Sequence, residues 1–414
     1  MERLQSLLGI FVFLGIAWLL GGRAKQKSWK GIFLGVLGQG LLCAAFFHLP
    51  RLNRVLEGLN EVVLLLEKAT QAGTSMVFGF LGGASLPFDE SFPGASFVLA
   101  FKALPLVLTV SALSALLFHW RILPLFVGFI SGILRKVFNI SGALGFGVAA
   151  NIFVGMVEAP IFVRPYLKDL SSSELFALMV TGMSTIAGTV MILYAQIIGP
   201  VVPGAFGHIL VASVISAPAA LTVAFLMAPM EVLPNNNFAL PTAESSSAMD
   251  AITRGTGDGL KLWLDIIAML IVLVALVELV NLMLGAVGPF WGHDLSLQLL
   301  LGWLMAPVTW LMGIPAAESV AAGSLMGVKT VLNEFVAYLQ FAALAPEVLG
   351  DRSRLILTYA MCGFANFGSL GIMIAGLGGL APERKKEIVD YGLRSIVAGT
   401  LATCLTGAWV GLLS

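Results

Sequence analysis

Charge is what this chain has least of. Asp, Glu, Lys and Arg together make up 11% of its 414 residues, against roughly 25% in a soluble domain. With 23 acidic and 23 basic residues the net charge is zero. There is no basic surplus and no basic run interleaved with aromatics to grip a phosphate backbone, so nucleic acid is excluded as a partner. Cysteine is also scarce. Cys43, Cys362 and Cys404 stand singly in apolar segments, with no CxxC metal pair and no disulfide framework. The four histidines, His48, His119, His208 and His293, are scattered near the ends of apolar stretches, a pattern of interfacial placement rather than metal ligation.

Hydrophobic residues fill the space that charge leaves, at 58% of the chain. Many windows hold the ~20 apolar residues that cross a hydrocarbon core of about 30 Å. Their length and helix-forming composition favour helices over barrel strands. The expected fold is an all-α polytopic membrane protein with eight transmembrane helices, near 7–21, 31–48, 98–119, 174–198, 205–230, 262–285, 355–379 and 391–412. RAKQKSWK follows the first stretch and no small-residue cleavage site is evident, so it reads as a retained helix rather than a signal peptide. Lys and Arg gather at Arg23, Lys25, Lys27 and Lys30, at Arg164 and Lys168, and at Arg384, Lys385 and Lys386, loops that this count puts on one side. By the positive-inside rule that side is cytoplasmic and both termini face outward. Residues 52–70 set Leu and Val on one helical face and Arg54, Glu57, Glu61 and Lys68 on the other, as suits an interfacial amphipathic helix.

The order of elements repeats. Residues 1–97 read as scaffold helices plus the amphipathic helix. Residues 98–232 run as helix, short helix, glycine-rich hairpin (about 141–166), broken helix (174–198) and final helix. A hydrophilic cytoplasmic linker occupies 233–261. Residues 262–414 repeat the series, with a hairpin at about 317–346 and a broken helix at 355–379. An odd number of crossings per unit inverts the second against the first, the usual construction of secondary transporters. The hairpins are too polar at their tips to cross and read as re-entrant, which requires burial in protein or a cavity to line.

Each hairpin holds one carboxylate in an apolar setting: Glu158 in ANIFVGMVEAPIFV and Glu334 in MGVKTVLNEFVAYL, 176 residues apart (334 − 158). A charge at membrane depth costs about 2.5–3.5 kcal/mol or more and points to function. The broken helices MVTGMSTIAGTVM and YAMCGFANFGSLG release backbone carbonyls and hydroxyls toward the interior, hard oxygens of the kind an alkali cation takes, with Thr185 a candidate. Asp265 and Glu278, in the sixth helix, read as packing or water-facing groups.

These residues resemble the bacterial concentrative nucleoside transporters. GVK at 327–329 followed by NEFVAY at 333–338 is similar to that family's Gly-x-Lys, three residues, Asn-Glu-Phe-Val-Ala-aromatic stretch, and CGFANFGS at 362–369 to its second broken helix. GMVEAP at 155–160 stands where the family has Gly-Gln-Thr/Ser-Glu. The resemblance implies a homotrimer in a bacterial inner membrane, in contact with lipid, importing nucleosides by alternating access. It implies that Glu334, Asn366 and Ser369 bind the ribose hydroxyls, with Phe364 beside the nucleoside. Glu158 then faces the base or its bridging water, Val190 packs on the base ring, and Met156 and Val157 occupy the place of two polar base ligands. A Na⁺ ion falls to Asn151, the carbonyl of Val154, Thr185 and the carbonyl of Ile186. The Met156–Val157 departure removes side-chain donors and predicts weaker discrimination among bases, a broad substrate set or a modified nucleoside.

Two coupling ions stay open, Na⁺ and H⁺, because Glu158 can titrate where no sodium binds. An intramembrane hydrolase would need facing carboxylates or a Ser/His pair, and neither pattern is present. A channel would need a continuous polar lining that these isolated tips do not supply. The chain therefore reads as a transporter and not an enzyme.

Overall fold

The computed structural model describes residues 2–21, 29–90, 96–156, 158–228, 238, 245–286 and 294–414, and every regular element among them is helical. Three helices open the chain: α1 (Glu2–Leu20), α2 (Trp29–His48) and α3 (Pro50–Phe78). The first unit follows, with α4 (Leu99–Lys102), α5 (Leu106–His119), α6 (Ile122–Phe138), α7 (Gly142–Asn151), α8 (Glu158–Phe162), α9 (Ser172–Ser184), α10 (Gly188–Ile198) and α11 (Ala205–Met227). The second has α12 (Ala248–Gly285), α13 (Leu297–Leu311), α14 (Ser319–Val331), α15 (Glu334–Ala343), α16 (Asp351–Met361), α17 (Phe367–Leu380) and α18 (Lys385–Leu413).

Seven spans among the described residues are long and apolar enough to cross a membrane: Glu2–Leu20, Trp29–His48, Leu99–His119, Ser172–Ile198, Ala205–Met227, Ala248–Gly285 and Pro382–Leu413. They coincide with seven of the eight crossings expected from sequence. The eighth, 355–379, is divided between α16 and α17, of which only α17 is apolar throughout. Between α13 and α14 the chain bends by 117° as it enters the second hairpin.

Helix starts follow local chemistry. Ser171 and Glu174 close a capping box on α9, and the Glu174 carboxylate also accepts from the Ser141 amide at 3.3 Å, fastening the start of α7 to the start of α9. Ser247 caps α12 through the Asp250 amide at 3.1 Å, and Asp250 pairs with Arg254 one turn later. That start places residues 248–261, expected within the linker, in the first turns of a 38-residue helix. Most of the remaining linker lies outside the described residues, as do Arg23, Lys25, Lys27 and His293.

Burial divides the helices sharply. The span Ser172–Ile198 and α11 are each 89% buried in their apolar window, whereas α12 is 6% buried. The core is therefore the first unit's broken and closing helices with α16 and α18 of the second, α17 is buried along one side only, and α12 stands at the periphery against α5 and α13. Asp265 and Glu278 lie exposed on α12, away from that core. The helix expected over 52–70 forms the middle of α3, with Val55, Val62, Leu64 and Leu65 exposed.

Candidate functional site

Both broken helices break the same way. After Ser184 the chain runs extended at Thr185 (φ −116°, ψ 171°) and Ala187 (φ −70°, ψ 142°) before α10 begins. After Met361 it runs through Cys362 to Asn366 (φ −150°, ψ 168°) before α17 begins. Extended residues inside a helical run leave amides and carbonyls without helical partners, and these point into the protein interior. The two breaks lie against each other. A Cβ on Gly363 would sit 3.0 Å from the Met183 carbonyl oxygen and 2.9 Å from Thr403 Cγ2, so only glycine permits this approach.

Glu334 is the first residue of α15 and is buried. It follows Asn333, whose Oδ1 caps the helix by accepting from the Val336 amide at 2.9 Å. The Glu334 carboxylate accepts from the Tyr194 hydroxyl at 2.6 Å and from Asn366 Nδ2 at 2.8 Å. Asn366 is itself an N-cap: its Oδ1 takes the Ser369 amide at 2.7 Å, which turns its amide nitrogen toward Glu334. One cap on each of two helices thus holds three of the residues expected at the ribose, and both helix N-termini point positive potential at the carboxylate. Phe364, half-buried, stands two residues before Asn366 and accepts that residue's amide at 2.8 Å.

In the first hairpin, α7 ends at Asn151 and the chain turns through Ile152–Val154 before Gly155. Gly155 has φ +119°, and a Cβ there would lie 2.8 Å from both Ala187 Cβ and Glu158 Oε2. Glycine is thus required at this point of GMVE. The turn is tied to the first break, with the Gly188 amide donating to the Phe153 carbonyl at 2.8 Å, and to α11, with Ser213 Oγ donating to the Ile152 carbonyl at 3.3 Å. This brings the turn holding Asn151 and Val154 against the break holding Thr185 and Ile186.

A cation fits here on chemical grounds. Asn151 Nδ2 donates to the Gly147 carbonyl at 3.0 Å, while the buried Asn151 Oδ1 has no hydrogen-bond partner. The Thr185 hydroxyl gives its proton to the Thr181 carbonyl at 2.9 Å and keeps its oxygen lone pairs. Neutral oxygens from a helix end and an unwound stretch form the type of site that holds Na⁺ in secondary transporters.

The halves interlock. α8 packs on α17 and α10 packs on α15, so each hairpin's second helix meets the other unit's broken helix. Glu158, the first residue of α8, is exposed. Met156 is buried against Gly182 with Met373 beside it, and Val190 is buried on α10, the helix that also carries Tyr194. Val157 lies outside the described residues.

Two residues at this centre escape a reading of the sequence. Tyr194 sits in an apolar run where an aromatic reads as core, and its partner lies 140 residues away. Lys329 is part of the GVK motif but no ligand role attaches to it; it is fully buried and bonded to Ala360 and Thr403.

Residues 208–411 match the family model for the Na⁺ dependent nucleoside transporter C-terminus, residues 8–81 that for its N-terminus, and residues 100–201 a model described as nucleoside recognition. The nucleoside permease NupC of Helicobacter pylori is 34% identical over 99% of this chain and 98% of its own. An uncharacterized transporter of Haemophilus influenzae is 36% identical over 100% and 98%. CNTnw in an inward-facing, substrate-bound state superposes with a TM-score of 0.92 at 35% identity over 100% of this chain and 98% of that one.

Proposed function

This chain belongs to the Na⁺-dependent nucleoside transporter family, and we propose that it imports nucleosides across a bacterial inner membrane by symport with Na⁺. One observation carries this reading: a buried carboxylate, Glu334, held by Tyr194 and Asn366 where the two units interlock. Vicinal ribose hydroxyls are good donors to such a carboxylate, and hydrogen bonds to a charged group are worth about 1.5–3 kcal/mol each. In this reading Glu334, Asn366 and Ser369 hold the ribose and Phe364 flanks it. Val190, Met156, Val157 and Glu158 face the base.

Coupling follows from the first break. Na⁺ would be held by Asn151, the Val154 carbonyl, Thr185 and the Ile186 carbonyl. It would draw the hairpin turn onto the break from which α10 carries Tyr194 to Glu334. Because α10 packs on α15, ordering one side favours the other, and ion and nucleoside raise each other's affinity by the same factor. Movement of hairpins and broken helices against α1, α2, α3 and α12 then opens the site to either side in turn. The exposed, apolar α12 supports assembly, as a homotrimer, through that periphery. Arg384 donates to the Leu167 and Leu170 carbonyls at 3.0 and 2.6 Å, which joins two of the basic loops at one end of the molecule, the cytoplasmic end in this reading.

Uptake into proteoliposomes, with Na⁺ and pH gradients imposed separately, tests the proposal. Nucleoside accumulation driven by Na⁺ alone is the expected result. Accumulation driven by pH alone, unchanged when Na⁺ is removed, would replace Na⁺ with H⁺ as the coupling ion. Competition by a panel of purine, pyrimidine and modified nucleosides assigns the base preference, with a broad or modified-nucleoside profile expected from Met156 and Val157.

A further inference from the structure

The second unit carries a cation of its own. Lys329 lies in the last turn of α14 and is completely buried. Its Nζ donates to the Ala360 carbonyl at the end of α16, at 3.1 Å, and to Thr403 Oγ1 of α18, at 3.0 Å. Thr403 gives its own proton to the Thr400 carbonyl at 3.1 Å, so its oxygen is available as the acceptor. An ammonium has three donors and no acceptor, and both of these partners are neutral oxygens. Burying it is costly, and an apolar side chain would close the same packing without that cost.

The unit-to-unit correspondence locates its counterpart. With Glu158 laid on Glu334, 176 residues on (334 − 158), Lys329 falls on Phe153. Ile152 and Phe153 are the residues through which the first hairpin is tied to its broken helix, by the Gly188 amide, and to its closing helix, by Ser213. Lys329 likewise ties the second hairpin to its broken helix, here before the break at the end of α16, and to its closing helix α18, but as the donor rather than the acceptor. The chemistry is complementary. The first hairpin presents a buried oxygen, Asn151 Oδ1, with no donor to fill it, whereas the second brings a permanent donor to oxygens already there.

We propose that Lys329 is a tethered cation: it joins the second hairpin to the end of α16 and places positive charge behind Glu334, as a bound ion does for the first hairpin, so this half assembles for nucleoside without taking up an ion of its own. Lys329 is a positioning residue in this scheme, acting through the hairpin that carries Glu334. The inference rests on the reading given above for the first hairpin and for Glu334.

The test is nucleoside binding by the full-length protein in lipid nanodiscs, titrated from sodium-free to saturating Na⁺, with uridine and adenosine as probes. Lys329→Gln should weaken binding by about tenfold or more at limiting Na⁺, as expected when a charged hydrogen-bonding partner is removed. Raising Na⁺ or adding methylammonium should restore binding, and the dependence on Na⁺ should become steeper than the parent's. A folded Lys329→Gln protein with parental affinity and parental Na⁺ dependence overturns the proposal, and so does a loss that no cation repairs, which would mark a purely structural lysine. If Lys329→Gln does not fold, the swapped pair Lys329→Thr with Thr403→Lys returns the ammonium from α18. Recovery of folding and binding supports the tethered cation, and failure to recover them overturns it. Glu334→Gln serves as the control: if it binds nucleoside as the parent does, the reading of the ribose site fails, whereas a silent Lys329→Gln beside an inactive Glu334→Gln removes the tethered cation alone.

Discussion

The two hairpins have the same plan and different chemistry. Each is a helix, a turn and a second helix that begins with a glutamate. In the second, Glu334 is buried, capped in by Asn333, and receives Tyr194 from the first unit and Asn366 from its own. In the first, Glu158 is exposed, follows a glycine held at φ +119°, and has the buried, apolar Met156 two residues before it. One carboxylate is buried in a polar cluster where the two units meet, and the other is exposed at the start of α8. A buried carboxylate suits the invariant part of a ligand, and an exposed one the part that varies. In the proposed function Glu334 holds the sugar and Glu158 faces the base, so the pair would separate recognition of the two.

Replacing each carboxylate by its amide tests that separation most directly. Glu334→Gln keeps the volume, removes the charge and puts an NH₂ where one acceptor was, and the charge-assisted bonds proposed to ribose would be lost with it. The expected fall in nucleoside affinity is about a hundredfold or more, read by binding of labelled uridine and adenosine. Glu158→Gln should cost about tenfold or less, and unequally between the two nucleosides. Equal losses from both changes would sink the separation.

Tyr194→Phe comes next. It deletes one hydroxyl from the cluster and leaves the ring packed near Phe335 and Tyr338, with centroids 5.8 and 5.1 Å away. Losing one bond to a charged acceptor predicts a loss of about tenfold, shared evenly by all ribonucleosides and smaller for analogues lacking the 2′ and 3′ hydroxyls. A change in base preference instead would place Tyr194 on the wrong side of the comparison.

How much of this was legible from sequence depended on distance along the chain. The hairpins, the breaks and both glutamates are local features: an Asn before a helical run is a cap, and a charge or a Gly-Ser-Asn cluster inside an apolar stretch is out of place wherever it occurs. The start of α12 was misread: Ser247, Asp250 and Arg254 form a local capping and i,i+4 pattern, but the polar composition around them reads as linker. Tyr194 and Lys329 were not legible as parts of the centre. Tyr194 is 140 residues from Glu334, Lys329 is 74 from Thr403, and nothing near either residue records that partner. The exposed face of α12 was equally hidden, because a helix buried by protein and one facing outward are equally apolar in a membrane chain.

Gly155→Ala tests the first hairpin's margin through its backbone. The left-handed φ costs a non-glycine residue about 1–3 kcal/mol, and the added methyl would press on Ala187 and on the Glu158 carboxylate at 2.8 Å. The turn carrying Asn151 and Val154 would shift from the break at Thr185. Protection of the protein by Na⁺ against thermal unfolding should fall markedly in Gly155→Ala, while protection by saturating nucleoside falls less. The opposite order would mean that the hairpin turn and the ion are unrelated.

The smallest expected effect is the most specific. Met156 is buried beside Gly182 and Met373, where its thioether offers shape and no strong hydrogen bond. Met156→Gln nearly conserves volume and adds a donor and an acceptor. An unsatisfied amide buried there costs about 1–3 kcal/mol, whereas one that finds a base edge recovers that cost for the bases it fits. Affinity for most nucleosides should therefore fall a few-fold, and for those whose edge complements an amide it should hold or rise, widening the spread across a nucleoside panel. The Na⁺ dependence should not move, because Asn151 and Thr185 are untouched. A uniform loss across the panel would place Met156 in the packing of the hairpin alone, and discrimination among bases would then fall to Glu158.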